Sequence, residues 1–289
     1  MLGSTLFRYL GSDPALQVQG TMRGDPSGST IGSVRHRPNA SLVGYVKGPD
    51  DDQFVQVLAD FGPNVIVNCV GCRQQPRSPA EAVKMIYANS LVPHKLAKLA
   101  GEFGARLIHF SSDGVFSGRR GLYREDNVPD PVDVYGHSKL LGELDYPHCL
   151  TLRTSMIGHA SKESDQLVDW LFRQKVKING YRQAIFSGLP TIEIAMIVRE
   201  ILLPRTELMG IWHLAAAPIS KFKLLRLIVE RYGLDVEVVP TPEPVIDRSL
   251  DASRFYTATG YVAPSWPELI DRMREFQLKG SFEIEKRRN

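Results

Sequence analysis

Two side chains that could share a proton, Tyr135 and Lys139, lie four residues apart in the sequence. Residues at this spacing face the same side of a helix. A lysine ammonium beside the phenol would favour the tyrosinate and lower a pKa that is ordinarily about 10. Ser112, in the preceding segment FSSDG, could hydrogen-bond a carbonyl while Tyr135 gives or takes the proton. These residue types predict carbonyl reduction with a nicotinamide cofactor.

A Y-x-x-x-K spacing arises easily by chance, so the prediction depends on where these residues lie among the predicted elements. The tyrosine begins a predicted helix, and the serine closes a predicted buried strand, RLIHFSS, at residues 106–112. Open α/β sheets bind their ligands at the carboxyl ends of the strands. We therefore expect the two elements to meet at a binding crevice.

The rest of the sequence supplies the elements that such a crevice needs. Apolar residues at helical spacing predict helices, and alternating or continuous short apolar runs predict strands. The predicted strands cover residues 15–23, 41–46, 64–71, 106–112, 149–158 and 210–218, and the predicted helices cover residues 2–10, 51–62, 79–103, 134–144, 164–174, 192–203, 220–233 and 266–276. This alternation predicts an α/β fold with a doubly wound parallel sheet of the Rossmann type.

The same pattern divides the chain into regions. Residues 1–158, with parts of 186–218 returning to the sheet, are predicted to form a dinucleotide-binding domain. Residues 159–280 are predicted to form mainly a smaller C-terminal α/β substrate-binding lobe, and residues 281–289 a charged tail.

The first residues predict a helix where a dinucleotide-binding fold has a strand. In such folds the first strand leads through a glycine-rich turn into a helix whose N–H groups bind the pyrophosphate. On this interpretation Gly3 is the last glycine of the turn, and the first strand and the first part of the turn are absent. We therefore expect the natural chain to begin about ten residues earlier, and this chain to bind pyrophosphate weakly. A genuine N-terminal amphipathic helix is the alternative.

Composition limits the classes of partner. The net charge of +3 is mildly basic and the basic residues are dispersed among acidic ones, so ligands that carry phosphate are plausible and nucleic acid is not an expected partner. No apolar run approaches the length of a membrane span. The three cysteines, Cys69, Cys72 and Cys149, argue against a disulfide framework and for a reducing compartment, so we expect a cytoplasmic protein. The seven histidines show no ligand spacing, and no metal is expected.

Sequence blocks along nearly the whole chain resemble the extended short-chain dehydrogenase/reductases, and within them the group of dTDP-4-dehydrorhamnose reductase and its relatives. The longest block is YREDNVPDPVDVYGHSKLLGE, and shorter ones include HFSSDGVFSG, SGLPT and SLDASRF. The resemblance implies a reductase of a keto group on a nucleoside-diphosphate sugar. Ser112, Tyr135 and Lys139 match the catalytic residues, with Tyr135 as general acid. Tyr135 and Lys139 also match residues at the cofactor, where Lys139 holds the nicotinamide ribose.

The resemblance assigns further residues by their match to the family. It places Asn89 on a helix that supports the active site and Gly71 on the loop beneath the cofactor. Thr191 falls in a segment that lines the sugar pocket, and Arg248 is a candidate for contact with the substrate diphosphate. A homodimer is the default expectation. The full set of implied substrate contacts is Asp113, Arg153, Thr154, Ser155, Thr191 and Arg248.

Arg23 bears on the choice of cofactor. It ends the predicted second strand, where family members that select NAD place an acidic residue that accepts hydrogen bonds from the ribose hydroxyls. A cation at this position suits the 2′-phosphate of NADP. We therefore expect NADPH.

Departures from the family pattern leave the substrate and two other functions open. Asp113 is followed by Gly114, whereas dehydratases of the family carry an Asp-Glu pair, so dehydration is not expected. Related reductases have tyrosine at Gly114 and an aromatic residue at Met156, so we expect a different sugar pocket and a different keto sugar, such as an acetamido sugar. One alternative is an epimerase of the same fold, against which Arg23 counts. The other is a non-catalytic NADP-binding subunit like the beta subunit of methionine adenosyltransferase, which the same blocks also resemble.

Overall fold

Parallel strands alternate with helices through the first half of the chain. The computed structural model describes residues 1–25, 38–160 and 165–285. The strands are β1 (Val18–Thr21), β2 (Ala40–Val43), β3 (Val65–Asn68), β4 (Arg106–Phe110), β5 (Cys149–Arg153), β6 (Met156–Ile157), β7 (Lys177–Tyr181), β8 (Ala184–Phe186), β9 (Leu189–Pro190), β10 (Gly210–His213), β11 (Ile219–Ser220), β12 (Glu237–Thr241) and β13 (Ile246–Asp247).

The helices flank these strands. They are α1 (Leu2–Leu10), α2 (Asp52–Phe61), α3 (Pro79–Ile86), α4 (Val92–Glu102), α5 (Val134–Leu141), α6 (Leu167–Phe172), α7 (Thr191–Ile197), α8 (Lys221–Tyr232), α9 (Ser253–Thr259) and α10 (Trp266–Glu285). Two π-helical turns, Tyr87–Leu91 and Val198–Leu202, and one 3-10 turn, Asp113–Val115, complete the set.

The main sheet is parallel and has the strand order β10-β5-β4-β3. A second parallel pair, β1 and β2, stands apart from it, and the described residues place no strand between β1 and β3. Strand β10 returns to this sheet from the second half of the chain, as the sequence predicts. The prediction of a doubly wound parallel sheet is confirmed, with the sheet divided into two hydrogen-bonded parts.

Helices cover both faces of the main sheet because side chains of β4 alternate between two apolar clusters. Leu107 packs with α2 and α4 on one face, together with Leu58 and Leu96. Ile108 packs with α1 and α7 on the other face. Leu107 and Ile108 are completely buried. Burying one such side chain stabilises a fold by roughly 1.5–3 kcal/mol, so this alternation holds β4 in one register.

Helix α1 packs on the main body through its apolar face. Leu2, Leu6 and Leu10 recur at helical spacing and are buried in the cluster that contains Ile108. At the start of the helix, a Cβ added to Gly3 would lie 3.2 Å from the Cβ of Cys69, just beyond β3. The absence of a side chain at this position therefore lets α1 approach the carboxyl end of β3 closely.

The long predicted helix at residues 79–103 is present and carries a π-helical turn at its centre. Ser78 caps its first turn by accepting a hydrogen bond from the N–H of Glu81 at 3.2 Å. Pro93 lacks the N–H that would bond the carbonyl of Asn89 four residues earlier, so the regular ladder is interrupted there. Gly142, the residue that follows α5, packs closely against this turn. A Cβ added to Gly142 would lie 1.9 Å from the carbonyl oxygen of Asn89, so no side chain fits there.

The C-terminal lobe differs most from the predicted elements. Short strands form three small sheets, β11-β8-β13, β12-β7 and β6-β9. The predicted strand at residues 149–158 is two strands, β5 and β6, because Thr154 and Ser155 interrupt it. The last helix, α10, continues to Glu285, beyond the predicted end at residue 276, and residues 286–289 lie outside the described residues.

Candidate active site

The carboxyl ends of β4 and β5 meet the start of α5, where the chemically capable residues collect. Ser112 follows β4, and Ser155 follows β5. Asp133 caps α5 by accepting a hydrogen bond from the N–H of Gly136 at 2.7 Å. This cap fixes the first turn of the helix and so the position of Tyr135.

The Ser112 hydroxyl lies beside Tyr135, because a Cβ added to Gly114 would lie 3.2 Å from the hydroxyl oxygen and within similar reach of the phenol ring. The Ser112 hydroxyl also accepts from the N–H of Gly114 at 3.0 Å and donates to the Asp113 carboxylate at 3.1 Å. A Cβ added to Gly114 would lie 3.0 Å from the Tyr135 ring, so the absence of a side chain there lets the ring pack against the strand end. The structure therefore brings together the serine and tyrosine that the sequence selects.

Lys139 lies one helical turn beyond Tyr135 and is buried. Its Nζ donates to the carbonyl oxygen of Phe110 at 2.6 Å, which ties α5 to the end of β4. Burial lowers the pKa of Lys139 to about 8, and the carboxylate of Glu143 acts in the opposite direction.

The expected lowering of the Tyr135 pKa is wrong in direction. Burial raises the pKa of Tyr135, and the neighbouring Ser112 hydroxyl only partly opposes this effect. The phenol therefore keeps its proton at neutral pH. This state suits Tyr135 as a proton donor to a carbonyl oxygen.

Asn89 joins the loop after β3 to α5. Its side chain exchanges two hydrogen bonds with the backbone of Cys72, at 2.8 and 2.7 Å, and donates a third to the Ser138 hydroxyl at 3.0 Å. Ser138 in turn donates to the carbonyl of Tyr135 at 2.7 Å. Asn89 is completely buried, so it acts on the site by positioning these two segments.

Arg153 differs from the substrate contact that the resemblance implies. It forms a two-pronged ion pair with Glu143, with both N–O distances at 2.8 Å, and its exposure is only 4%. Glu143 also accepts a hydrogen bond from Ser111 at 2.7 Å. The guanidinium is therefore committed to binding α5 to β5, and the expected contact with substrate is not supported.

Three further predicted substrate residues differ in their surroundings: Thr154 and Thr191 take part in internal hydrogen bonds, and Ser155 lies beside Asp113. Thr154 is buried and donates to the carbonyl of Ser155 at 3.1 Å. Thr191 is buried between α1 and α7, where Thr5 donates to its hydroxyl at 3.1 Å, so its side chain contributes to packing rather than to a sugar pocket. Ser155, in contrast, hydrogen-bonds the carboxyl of Asp113.

Asp113 lies near basic residues that come from two later segments of the chain. Burial raises its pKa, while hydrogen bonds from Ser155 and Ser112 and the charges of Arg248 and Lys221 oppose this effect. Arg73 also acts on Tyr135 and on Lys221. The positions of Lys221 and Arg73 near these groups were not predicted from the sequence. The sequence signal for Lys221 is that it begins a helix directly after a short strand.

The residues expected at the cofactor line the carboxyl edge of the sheet. Gly3 brings α1 against the end of β3, and this close approach is what a dinucleotide fold requires of the last glycine of its turn. Gly71 lies on the exposed loop that Asn89 holds, and Arg23 is exposed two residues after β1. These residues, with the ammonium of Lys139, fit a nicotinamide dinucleotide.

Other classes of site receive no support from the described part of the chain. No group of three or more histidine, cysteine or acidic side chains there could hold a metal ion. The three cysteines are free thiols. No helix in residues 1–25, 38–160 and 165–285 is both long and apolar enough to cross a membrane.

Two solved structures of Bacillus anthracis proteins share this fold. One is dTDP-4-dehydrorhamnose reductase in complex with NADP, with a TM-score of 0.73 and 19% identity over 89% of this chain and 98% of that one. The other is dTDP-glucose 4,6-dehydratase in complex with NAD, with a TM-score of 0.78 and 14% identity over 98% and 95% of the two chains. At these identities the likeness shows the fold.

Sequence comparison identifies the family. The chain is 26% identical over 247 residues to methionine adenosyltransferase 2 subunit beta of Xenopus tropicalis. The aligned region covers 75% of this chain and 74% of that protein. Residues 31–273 match the RmlD substrate binding domain. The chain therefore belongs to the RmlD substrate binding domain family of the extended short-chain dehydrogenase/reductases.

Proposed function

We propose that this protein is an NADPH-dependent reductase of a keto group on a nucleoside-diphosphate sugar. The observation that carries the proposal is the protonated Tyr135 beside the Ser112 hydroxyl at the carboxyl end of β4. The fold similarity to a dTDP-4-dehydrorhamnose reductase supports the same reaction class.

In this mechanism the substrate carbonyl oxygen lies between the hydroxyls of Ser112 and Tyr135. The Ser112 hydroxyl, which donates to Asp113 in this structure, turns to donate to the substrate oxygen and so orients it. Tyr135 transfers its proton to the oxygen as the alcohol forms. A reduced nicotinamide, when bound, supplies the hydrogen and the electron pair that reduce the carbonyl carbon. Lys139 holds a positive charge one helical turn away, which stabilises the tyrosinate left behind.

The residues at the carboxyl edge of the sheet favour NADPH over NADH. Arg23 provides a cation for the 2′-phosphate and is exposed beside the end of β1. Gly3 and Gly71 would admit the dinucleotide backbone, and Asn89 holds the Gly71 loop in place. Lys139 would bind the nicotinamide ribose.

The test is a turnover assay with a panel of 4-keto nucleotide sugars and both NADPH and NADH. We expect oxidation of NADPH with at least one substrate, and we expect Tyr135→Phe to lower kcat by roughly 10²–10⁴-fold. Tyr181→Phe is the matched control, because Tyr181 is an exposed tyrosine on β7. Equal rates in wild type and Tyr135→Phe would refute the mechanism.

A second candidate function is that of a non-catalytic regulatory subunit. The observation in its favour is the similarity to methionine adenosyltransferase 2 subunit beta, which spans 74% of that protein. This function predicts cofactor binding without turnover and a change in the activity of a methionine adenosyltransferase catalytic subunit when the two are mixed. The epimerase alternative predicts conversion of a nucleotide sugar without net consumption of cofactor.

A further inference from the structure

The pair β1–β2 and the main sheet lie side by side without hydrogen bonds between their strands. Among the described residues, β1 pairs with β2 alone and β3 with β4 alone. Helix α1 contacts both parts. A Cβ added to Gly3 would lie 3.2 Å from the Cβ of Cys69, just beyond β3, and one added to Gly20 of β1 would lie 3.0 Å from the Phe7 ring. The edges of β1 and β3 therefore lie under one helix, and we call the space between them the strand gap.

Apolar clusters cover both faces of the sheet beside the strand gap. On one face, Val18 of β1 and Val65 and Val67 of β3 pack against the cluster that includes α1. On the other face, Val43 of β2 and Ile66 of β3 pack against the cluster that includes α2. The first three residues of β3 are only partly buried, whereas every residue of β4 and β5 is buried. Strand β3 therefore has the two covering layers of a central strand and the burial of an edge strand.

The pairing of β1 with β2 shows which backbone groups of β1 face the strand gap. The N–H of Val18 donates to the carbonyl of Asn39 at 2.8 Å, on the side of β2. Successive residues of a strand direct their backbone groups to opposite sides. The N–H and carbonyl groups of Gln19 and Thr21 therefore point away from β2 and into the gap.

The same reasoning applies to β3. The N–H of Arg106 in β4 donates to the carbonyl of Asn64 at 2.9 Å, so the backbone groups of Val65 and Val67 point away from β4 and into the gap. No strand of the described chain pairs with these groups. Helix α1 begins at the carboxyl end of β3 and leads through residues 11–17 into β1, so the two strands run in the same direction. Two parallel edges thus offer hydrogen bonds to the same space.

We propose that the strand gap binds an extended segment of another polypeptide, which pairs in parallel with both β1 and β3. The segment is about four residues long, since β1 and β3 have four residues each. Its side chains are apolar on both faces, because one face meets the α1 cluster and the other the α2 cluster. A folded second copy of this chain offers no unpaired strand among the described residues, so the partner is a different polypeptide. This mode of binding is strand addition, and it does not depend on the proposed function.

The test is NMR hydrogen exchange on the full chain, with and without the synthetic peptide Lys-Val-Ile-Val-Val-Lys. We expect the peptide to slow the exchange of the N–H groups of Gln19, Thr21, Val65 and Val67, because each gains an acceptor. The N–H of Ile211 is the internal control. It points away from β5 on the opposite edge of the main sheet, so its exchange should not change.

A second peptide and two variants separate binding in the gap from other effects. Lys-Val-Glu-Val-Glu-Lys should give no protection, because its carboxylates would meet an apolar cluster. Gln19→Pro removes an N–H that faces the gap and leaves the pairing with β2 intact, so it should weaken binding of the apolar peptide about tenfold. Gln19→Ala keeps the N–H and should bind as the wild type does. Slow exchange at Val18 and Gly20 shows that each variant retains β1.

The proposal predicts protection of the four N–H groups by the apolar peptide alone. It is overturned if that peptide protects none of them, if both peptides protect them equally, if Ile211 is protected to the same extent, or if Gln19→Pro binds as tightly as Gln19→Ala. A dimer in which the four groups already exchange slowly without peptide would overturn it in favour of a second copy of this chain.

Discussion

Replacing Glu143 with glutamine removes the negative charge from a buried ion pair and tests the role assigned to Arg153. The two side chains are 5% and 4% exposed, and both oxygens of Glu143 accept from the guanidinium at 2.8 Å. Glutamine has nearly the same shape and can keep one oxygen for Ser111 and the Nε of Arg153. Its NH2 group replaces the oxygen that accepts from the Nη2 of Arg153, so the change removes the charge and one acceptor.

The expected loss of stability follows from the unpaired guanidinium. Removing one partner of a buried ion pair costs about 3–5 kcal/mol, because the remaining charge stays buried without compensation. Glutamine retains one acceptor, so the loss of unfolding free energy in Glu143→Gln should be near the lower end of this range, at about 3 kcal/mol. The double variant Glu143→Leu with Arg153→Met removes both charges and should cost clearly less than the single change.

Urea unfolding of the wild type, Glu143→Gln, the single variants Glu143→Leu and Arg153→Met, and the double variant measures these free energies. Glu143→Gln should also lower the pKa of Lys139, because the Glu143 carboxylate favours the ammonium. The alkaline limb of the pH profile should then shift to lower pH. A loss below about 1 kcal/mol in Glu143→Gln, or a double variant as unstable as the sum of the single ones, would refute a structural role for this pair.

Three further predictions concern the positioning of the site and its cofactor. Asn89→Ala should cost about 1–3 kcal/mol in urea unfolding, because it leaves the backbone of Cys72 without partners, and an unchanged midpoint would contradict this. Arg23→Ala should weaken NADPH binding about tenfold in a fluorescence titration and leave NADH binding unchanged; equal weakening of both would mean that Arg23 does not select the cofactor. Because the pKa of Lys139 is about 8, its charge is present below that pH and lost above it, so kcat should fall as the pH rises through about 8; a profile that stays flat well into the alkaline range would contradict the role of its charge.

The sheet and the meeting of Ser112 with Tyr135 could be predicted from the sequence, because both depend on local signals. A buried strand that ends in serines and a helix that begins at a tyrosine must meet at the carboxyl edge of a parallel sheet. The short strands of the C-terminal lobe were missed because two or three residues, as in β9 and β11, are too few to show a period.

Contacts between distant segments could not be predicted. Arg153 resembles a ligand residue in the sequence, and only the fold shows that Glu143 occupies its guanidinium. The direction of the Tyr135 pKa was also beyond the sequence, because burial exceeds the effects of neighbouring groups there. Pro93, four residues after Asn89, is the sequence signal for the π-helical turn there.

The most direct test of the proposed reductase is transfer of deuterium from NADPH labelled at the reactive carbon of its nicotinamide. The protein is incubated with labelled NADPH and a 4-keto nucleotide sugar, and the mass of the product is measured by mass spectrometry. We expect one deuterium on the former carbonyl carbon with the wild type and almost none with Tyr135→Phe. If NADPH binds but no sugar of the panel gains deuterium, the result would contradict the proposed reductase and favour the regulatory subunit.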